Sequence, residues 1–215
     1  MEVLLNLFEL DKNNMKRKTL RFIQKQKYKK KLTCLTAYTS SISKIIDNLV
    51  DIILVGDSVG TVIYGMHNTQ NVTLEMMMNH GKTVSNSAKK AFTIVDMPYN
   101  SFKNKKQALD NAQKLLKYTK CQAVKIEADN KTVKTIKYLS DNNINVVSHI
   151  GVTPQKYKDF KKIRSVGNTS KEKNQITNLA IDLEKAGSVL IFLECIKEDL
   201  ATTITKKLKI PTIGI

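Results

Sequence analysis

Arginine and aromatic residues are scarce in this chain, and their scarcity argues against one class of function. Of the 36 basic residues only three are arginine, at positions 17, 21 and 164, and tryptophan is absent. Arginine supplies bidentate contacts to bases and phosphates, and aromatic rings supply base stacking. We therefore interpret the formal charge of +17 as solvated lysine faces. A basic RNA-binding protein that uses the lysine cluster at residues 16–31 is kept as an alternative.

Cysteine and long apolar runs are also sparse. The three cysteines (Cys34, Cys121 and Cys195) are odd in number and lack C-x-x-C spacing, so neither a disulfide framework nor a zinc site is predicted. No apolar stretch reaches the roughly 18 residues of a membrane span. The apolar segment at residues 4–8 is too short for a signal-peptide core. We therefore expect a cytoplasmic protein.

What the chain does contain, five times over, is a short apolar run that ends in an ionisable residue. The residues at these ends are Asp57, Asp96, Lys125 with Glu127, His149 and Glu194. Helix-like stretches separate the runs, and this alternation is typical of a (β/α)8 TIM barrel. In that α/β fold the C-terminal ends of all strands face one mouth, where catalytic groups collect. These side chains are therefore predicted to converge on one enzyme site.

The same pattern predicts two segments and seven strands. Residues 1–30 read as a basic helical N-terminal lead-in, and residues 31–215 as the barrel domain, apparently lacking the eighth strand and the C-terminal helices. The predicted strands cover residues 32–37, 50–55, 92–95, 123–127, 145–150, 188–193 and 211–215. The predicted helices cover residues 38–48, 73–90, 105–119, 131–141, 173–186 and 197–208. Residues 56–71 are predicted to form a loop, and the lysine-rich stretch after Pro154 a lid or mobile segment.

Three carboxylates would lie on neighbouring strand ends. Asp57, Asp96 and Glu127 would repel one another in a shared mouth, and a hard divalent cation such as Mg²⁺ relieves that repulsion. The structural alternative is that lysines pair with these acids. Lys125 and Glu127 are two residues apart, so both side chains leave their strand on the same face, toward the barrel interior. There Lys125 either binds a substrate carboxylate or alkoxide, or only fills the barrel as half of an ion pair.

The remaining candidates suggest proton transfer at carbon. The turn Gly56-Asp57-Ser58 lacks a phosphate-binding motif, and its glycine instead allows backbone N–H groups and the Ser58 hydroxyl to approach a bound carboxylate. Glu194 follows five apolar residues and could accept a proton from carbon. His149 ends a strand, where a histidine is as often simply hydrogen-bonded in the core as it is part of a site. Enolisation of a carbonyl compound next to a metal is the chemistry that this set favours.

Several short motifs, in order and with similar spacing, resemble the 3-methyl-2-oxobutanoate hydroxymethyltransferase (ketopantoate hydroxymethyltransferase) family. They are Leu35-Thr36-Ala37-Tyr38, Val55-Gly56-Asp57-Ser58-Val59-Gly60, Asp96-Met97-Pro98-Tyr99, Val124-Lys125-Ile126-Glu127, His149-Ile150-Gly151-Val152-Thr153-Pro154-Gln155, Leu193-Glu194-Cys195 and Ile210-Pro211-Thr212-Ile213-Gly214-Ile215. The resemblance runs from about residue 17 to Ile215. Asn100 and Ala128 depart from it, because they stand where the family usually has glycine.

The resemblance implies a Mg²⁺-dependent enzyme of pantothenate biosynthesis, a homo-oligomer that is commonly a decamer. Its reaction transfers a hydroxymethyl group from 5,10-methylenetetrahydrofolate to 3-methyl-2-oxobutanoate, giving 2-dehydropantoate. By matching position, the metal-site acids would be Asp57, Asp96 and Glu127. The keto acid would be bound by Ser58 and Lys125, together with Asp57 and Asp96. Glu194 would be the base, and His149 would handle protons. The alternative is a non-catalytic truncated barrel remnant that acts as a binding or assembly subunit.

Overall fold

The structure, a computed structural model, describes residues 16–215 and shows strands and helices in alternation. Its seven strands are β1 Cys34–Thr36, β2 Ile52–Val55, β3 Phe92–Asp96, β4 Ala123–Glu127, β5 Val146–Gly151, β6 Leu190–Glu194 and β7 Thr212–Gly214. Its α-helices are α1 Leu20–Lys25, α2 Ser40–Ile46, α3 Val59–Val62, α4 Leu74–Ser87, α5 Lys105–Thr119, α6 Val133–Asp141, α7 Ser170–Lys185 and α8 Glu198–Lys207. The first half of the predicted N-terminal lead-in lies outside the described residues.

All strand pairs are parallel, and each strand pairs with the next one along the chain, in the order β1 to β7. This order confirms a TIM-type barrel, nearly closed, in which β1 and β7 are the two edge strands of the described sheet. The register sets Asp96 beside Lys125 and Glu127 beside His149. Neighbouring strands therefore bring these two pairs of ionisable residues side by side.

Each inner strand sends alternate residues to two separate apolar layers. Val124 and Ile126 of β4 join the outer layer, which packs the helices against the sheet. The interior layer holds Ile52, Leu54, Phe92, Ile94, Ala123, Val147, Leu190 and Phe192. In β3 to β6 the inward positions are apolar at the start of the strand and polar at its end, as Phe92, Ile94 and Asp96 illustrate. One end of the barrel interior is consequently apolar, and the other end carries the charged groups.

Helix α1 covers the apolar end of the barrel. Ile23 of α1 is fully buried and packs with the interior apolar layer. Near it, Lys30 forms an ion pair with the buried Asp51 at 3.1 Å, and Lys18 lies 3.7 Å from the same carboxylate. Lys27 donates to the carbonyl of Thr205 at 2.6 Å. Part of the lysine cluster at residues 16–31 therefore attaches the lead-in to the barrel.

The structure confirms most predicted elements and corrects one loop. Thr73 caps α4 as predicted, accepting from the N–H of Met76, and Gly187 adopts a positive φ of 98° after α7. The prediction that residues 56–71 contain only loop was wrong, because α3 forms within that segment. A single helical turn gives too short a pattern for apolar periodicity to reveal it. Within residues 16–215, no helix is long and apolar enough to cross a membrane.

Candidate active site

The structure gathers the predicted ionisable residues at the C-terminal ends of β2 to β6. Asp57 lies in the turn after β2, Asp96 ends β3, and Glu127 ends β4. Lys125 and His149 also face the interior, and all five of these residues are buried. The side chain of Glu194, at the end of β6, is 21% exposed to solvent. The structure therefore places these residues together at one mouth of the barrel, as the sequence pattern predicted.

Asp96 and Lys125 form the central ion pair. The Lys125 Nζ donates to Asp96 Oδ2 at 2.8 Å, and the backbone N–H of Asp57 donates to the same oxygen at 3.0 Å. The other oxygen, Oδ1 of Asp96, is buried and has no hydrogen-bond partner among the described residues. A buried carboxylate oxygen normally has a partner, so this oxygen is available to a ligand.

Gln155, which follows β5, connects the other two acids. Its side-chain Nε2 donates to Asp57 Oδ2 at 2.8 Å, and its backbone N–H lies 3.1 Å from each carboxylate oxygen of Glu127. The spacing of ionisable residues at strand ends could not reveal Gln155, because its side chain is uncharged and the residue lies four positions beyond the end of β5. Its place in the motif after His149 was the one signal in the sequence.

His149 lies between two acids of the site. Its Nε2 is 2.9 Å from Glu194 Oε2, and its Nδ1 is 4.0 Å from Glu127 Oε1. Neither ring nitrogen makes a hydrogen bond of regular geometry to the described residues. The short distance to Glu194 nevertheless allows a small ring rotation to form one. His149 is thus placed to orient Glu194 rather than to act alone.

The turn after β2 supplies a hydroxyl to the same mouth. The Ser58 Oγ and the Tyr38 hydroxyl are 2.7 Å apart. A Cβ on Gly56 would lie 2.8 Å from Ser58 Oγ, closer than Cβ contacts normally come. Glycine at position 56 therefore allows the turn to place Ser58 near the strand ends.

Burial and crowding shift the protonation of these groups. Burial, and then the charge of Asp96, raises the pKa of Asp57 to about 7. Burial, and then the charge of Asp57, raises the pKa of Glu127 to about 8. Burial lowers the pKa of Lys125, but the neighbouring Asp96 and Asp57 outweigh it and leave the pKa raised. Burial and the Lys125 charge lower the pKa of His149, so its ring is neutral at pH 7.

The arrangement fits a divalent cation that takes few protein ligands. Three buried carboxylates face a single ammonium group, and Asp96 Oδ1 is unpartnered within residues 16–215. No three acidic, imidazole or thiol side chains in residues 16–215 lie close enough to hold one ion together. Mg²⁺ usually keeps several waters and binds through one or two carboxylates plus substrate oxygens. This site can therefore offer an ion one or two of its carboxylates, with water for the remaining positions.

Acids elsewhere in the fold show what a purely structural carboxylate looks like here. Asp47 accepts from the backbone N–H groups of Lys89 and Ala91, and Asp51 accepts from Lys30 and from the N–H of Thr33. Within the mouth only Asp96 has a lysine at ion-pair distance among the described residues. The alternative, that these acids serve only to pair with lysines, therefore explains Asp96 but not Asp57 or Glu127.

The raised pKa values predict how the stability of the metal-free chain depends on pH. Between their unfolded values (3.8 and 4.5) and folded values (about 7 and about 8), Asp57 and Glu127 hold protons that the unfolded chain has lost. The folded state then binds more protons, so the free energy of unfolding falls as pH rises. We expect Tm in chelator to decrease from pH 6.5 to pH 8, and Mg²⁺ to oppose that decrease.

This trend is measured by thermal unfolding across that pH range. The range begins at the ordinary pKa of histidine, 6.5, because His149 contributes the opposite slope below it. Glu127→Gln should flatten the decrease, since it removes one of the two carboxyls whose pKa is raised. A metal-free Tm that rises over the same range would contradict the expectation.

A cleft of about 220 Å³ opens beside the acids. Its lining includes the buried Glu127 and Gln155 together with Tyr99, Phe102 and Lys131. Asn100, in the same wall segment, has a φ of 65°, a conformation that glycine and asparagine tolerate best. Asparagine there therefore preserves the turn where the resembling family usually has glycine. The cleft therefore reaches Glu127 and Gln155 from this side.

Comparison with known proteins gives one family. The family model described as Ketopantoate hydroxymethyltransferase matches residues 16–215. The 3-methyl-2-oxobutanoate hydroxymethyltransferase of Pelagibacter ubique (strain HTCC1062) is 45% identical over 201 residues, covering 94% of this chain and 77% of the relative. The protein of the same name from Anaplasma marginale (strain St. Maries) is 40% identical over 193 residues, covering 90% and 70%.

Solved structures share the fold at low sequence identity. A 2,3-dimethylmalate lyase of the PEP mutase/isocitrate lyase superfamily matches with a TM-score of 0.66 and 13% identity, covering 91% of this chain and 69% of that one. A phosphonopyruvate hydrolase in complex with oxalate and Mg²⁺ matches with a TM-score of 0.67 and 11% identity, covering 92% and 72%. These matches support the barrel.

Proposed function

The chain belongs to the ketopantoate hydroxymethyltransferase family, and we propose that it transfers a hydroxymethyl group to 3-methyl-2-oxobutanoate with Mg²⁺ bound at the mouth of the barrel. The observation that carries the proposal is the buried group of Asp57, Asp96, Glu127 and Lys125, with Glu194 beside it. The one-carbon donor is 5,10-methylenetetrahydrofolate, and the product is 2-dehydropantoate. The transfer also consumes one water and releases tetrahydrofolate.

Binding of the keto acid falls to the cationic and hydroxyl groups. Lys125 is the one ammonium in the buried cluster, and its charge can pair with the substrate carboxylate or with the oxygen that becomes an enolate. The Ser58 hydroxyl supplies a further donor at the same edge. Asp57, Asp96 and Glu127 would hold Mg²⁺, which when bound polarises the substrate carbonyl. The oxalate and Mg²⁺ complex of the phosphonopyruvate hydrolase, whose fold is similar, lends support by analogy.

Glu194 is assigned as the base that removes the proton from C3. It alone among the acids of the mouth retains substantial exposure, so its carboxylate can meet a substrate entering from solvent. With a proton on Nε2, the neutral ring of His149 can donate to the Glu194 carboxylate and set its orientation. Water hydrolyses the two C–N bonds that hold the methylene carbon in the donor, which releases tetrahydrofolate and leaves the one-carbon unit at the aldehyde level. The electron pair left on C3 attacks that carbon, and its oxygen takes up a proton to become the new hydroxyl group. We assign the one-carbon end of the donor to the cleft beside Glu127, whose volume of about 220 Å³ takes only part of such a molecule.

Homo-oligomer formation is part of the proposal. Ile45 and Leu49, on and just after α2, are 65% and 70% exposed. We propose that a second copy of the chain covers these side chains, as partner chains cover larger apolar patches. The decamer implied by the resemblance is consistent with such a surface.

The half-reaction without the folate donor tests the proposal. In D₂O with Mg²⁺, the chain is expected to exchange the C3 proton of 3-methyl-2-oxobutanoate, measured by loss of its ¹H NMR signal. Chelation of Mg²⁺ should stop the exchange, and added Mg²⁺ should restore it. Adding 5,10-methylenetetrahydrofolate should then yield 2-dehydropantoate. A folded chain that neither exchanges the proton nor binds the keto acid would instead match a non-catalytic subunit.

A further inference from the structure

Gln155 makes contacts that reach several parts of the mouth at once. It lies in a 3₁₀ turn, Pro154–Lys156, directly after β5, and is only 3% exposed. Besides its bonds to Asp57 and Glu127, its Nε2 donates to the backbone carbonyl of Met97 at 3.1 Å. Its own carbonyl accepts from the side chain of Gln70 at 2.9 Å. One residue thus joins the segments that follow β2, β3 and β5 to the last residue of β4.

The chemistry of the amide suits a group that positions carboxylates without neutralising them. A primary amide offers two N–H donors, and here the acceptors are Asp57 Oδ2 and the Met97 carbonyl. A lysine at this place would bring a positive charge and compete with a bound cation. The neutral amide instead fixes one oxygen of Asp57 and leaves the carboxylate charge available. The backbone N–H contacts both oxygens of Glu127 and likewise adds no charge.

We propose that Gln155 is a positioning residue for the divalent cation. It orients Asp57 through its side chain and Glu127 through its backbone. The inference rests on the proposed function, because the cation is the Mg²⁺ assigned to the mouth. Residues that hold metal ligands in place commonly change metal affinity by about 10- to 100-fold when they are replaced.

The variant Gln155→Met removes the side-chain donors and keeps a side chain of similar length. Mn²⁺ is the probe, titrated through the EPR signal of the free ion, with Mg²⁺ added as competitor. We expect the variant to bind both ions about 10- to 100-fold more weakly than the unmodified chain. The EPR spectrum of bound Mn²⁺ should also broaden or change, a sign of altered ligand geometry that lost stability alone would not produce.

Gln107→Met is the matched control. Gln107 also joins loop backbone, since it accepts from the N–H of Lys103 and donates to the carbonyl of Asn100, but it contacts none of the acids. This control should bind Mn²⁺ like the unmodified chain. If Gln155→Met does not fold, as judged by circular dichroism, Gln155→Asn replaces it, because the shorter amide cannot reach Asp57 and should weaken binding in the same direction.

The outcomes separate this inference from the proposed function. Failure of the unmodified chain to bind Mn²⁺ or Mg²⁺ would overturn the metal site and Gln155 with it. Binding by the unmodified chain and equally tight binding by folded Gln155→Met or Gln155→Asn would overturn the positioning assignment alone. Weaker binding by the Gln155 variant, with Gln107→Met unchanged, would establish it.

Discussion

Glu194→Gln is expected to reduce exchange of the C3 proton of 3-methyl-2-oxobutanoate by about 10²- to 10⁴-fold, the usual contribution of a general base. Glutamine keeps the size of the side chain and a carbonyl oxygen that can still approach His149 Nε2, now 2.9 Å from Glu194 Oε2. It removes the carboxylate that accepts the proton. The measurement is the ¹H NMR exchange rate in D₂O with Mg²⁺ and without folate.

Glu198→Gln is the control for that experiment. Glu198 is exposed in the first turn of α8, four residues further along the chain, so the same chemical change occurs outside the mouth. Its exchange rate should equal that of the unmodified chain. Exchange that persists in folded Glu194→Gln at the unmodified rate would remove Glu194 from the role of base.

Lys125→Met is expected to weaken both the fold and keto-acid binding. Methionine has a similar length but no charge, so Asp96 would stay buried with one backbone N–H and no lysine among the described residues. Removing one partner of a buried ion pair typically costs about 3–5 kcal/mol. Loss of a hydrogen bond to a charged group, worth about 1.5–3 kcal/mol, should weaken binding of 3-methyl-2-oxobutanoate by about tenfold to 100-fold.

Urea unfolding in chelator at pH 8 and calorimetric titration of the keto acid with Mg²⁺ measure these two effects. Lys117→Met, an exposed position near the end of α5, is the matched control and should change neither. A stability loss in Lys125→Met without a change in keto-acid affinity would support the other interpretation, in which Lys125 only fills the barrel. Unchanged stability and affinity would refute both assignments.

The sequence predicted the position of the site because strand ends and side-chain alternation are local properties. Lys125 and Glu127 could be assigned to one face from their spacing alone, and Val124 and Ile126 to the other. The element boundaries of β4 and α5 matched as well, since each is bounded by clear polar or capping residues. The inner strands are buried on both faces, so their sequences are nearly continuous apolar runs, and the five runs could therefore be recognised as inner strands.

What the sequence could not predict are contacts between residues distant along the chain. The bond from Gln155 to Asp57 spans 98 positions, and the bond from Tyr38 to Ser58 joins two loops of unrelated pattern. Whether the three acids meet closely enough for one ion also depends on loop geometry that no periodicity encodes. The short distance from His149 to Glu194, by contrast, follows from β5 and β6 being neighbours, which the predicted barrel already implied.

The polar ends and apolar starts of β3 to β6 depend on strict two-residue alternation, and this has a consequence for how the sequence can vary. A single inserted or deleted residue within such a strand would turn every later side chain to the opposite face. In β4 it would direct Lys125 and Glu127 into the apolar layer beneath the helices and bring Ile126 into the mouth. Length changes among related sequences are therefore expected in segments such as residues 157–168, between strands. The strands themselves should vary only by substitution.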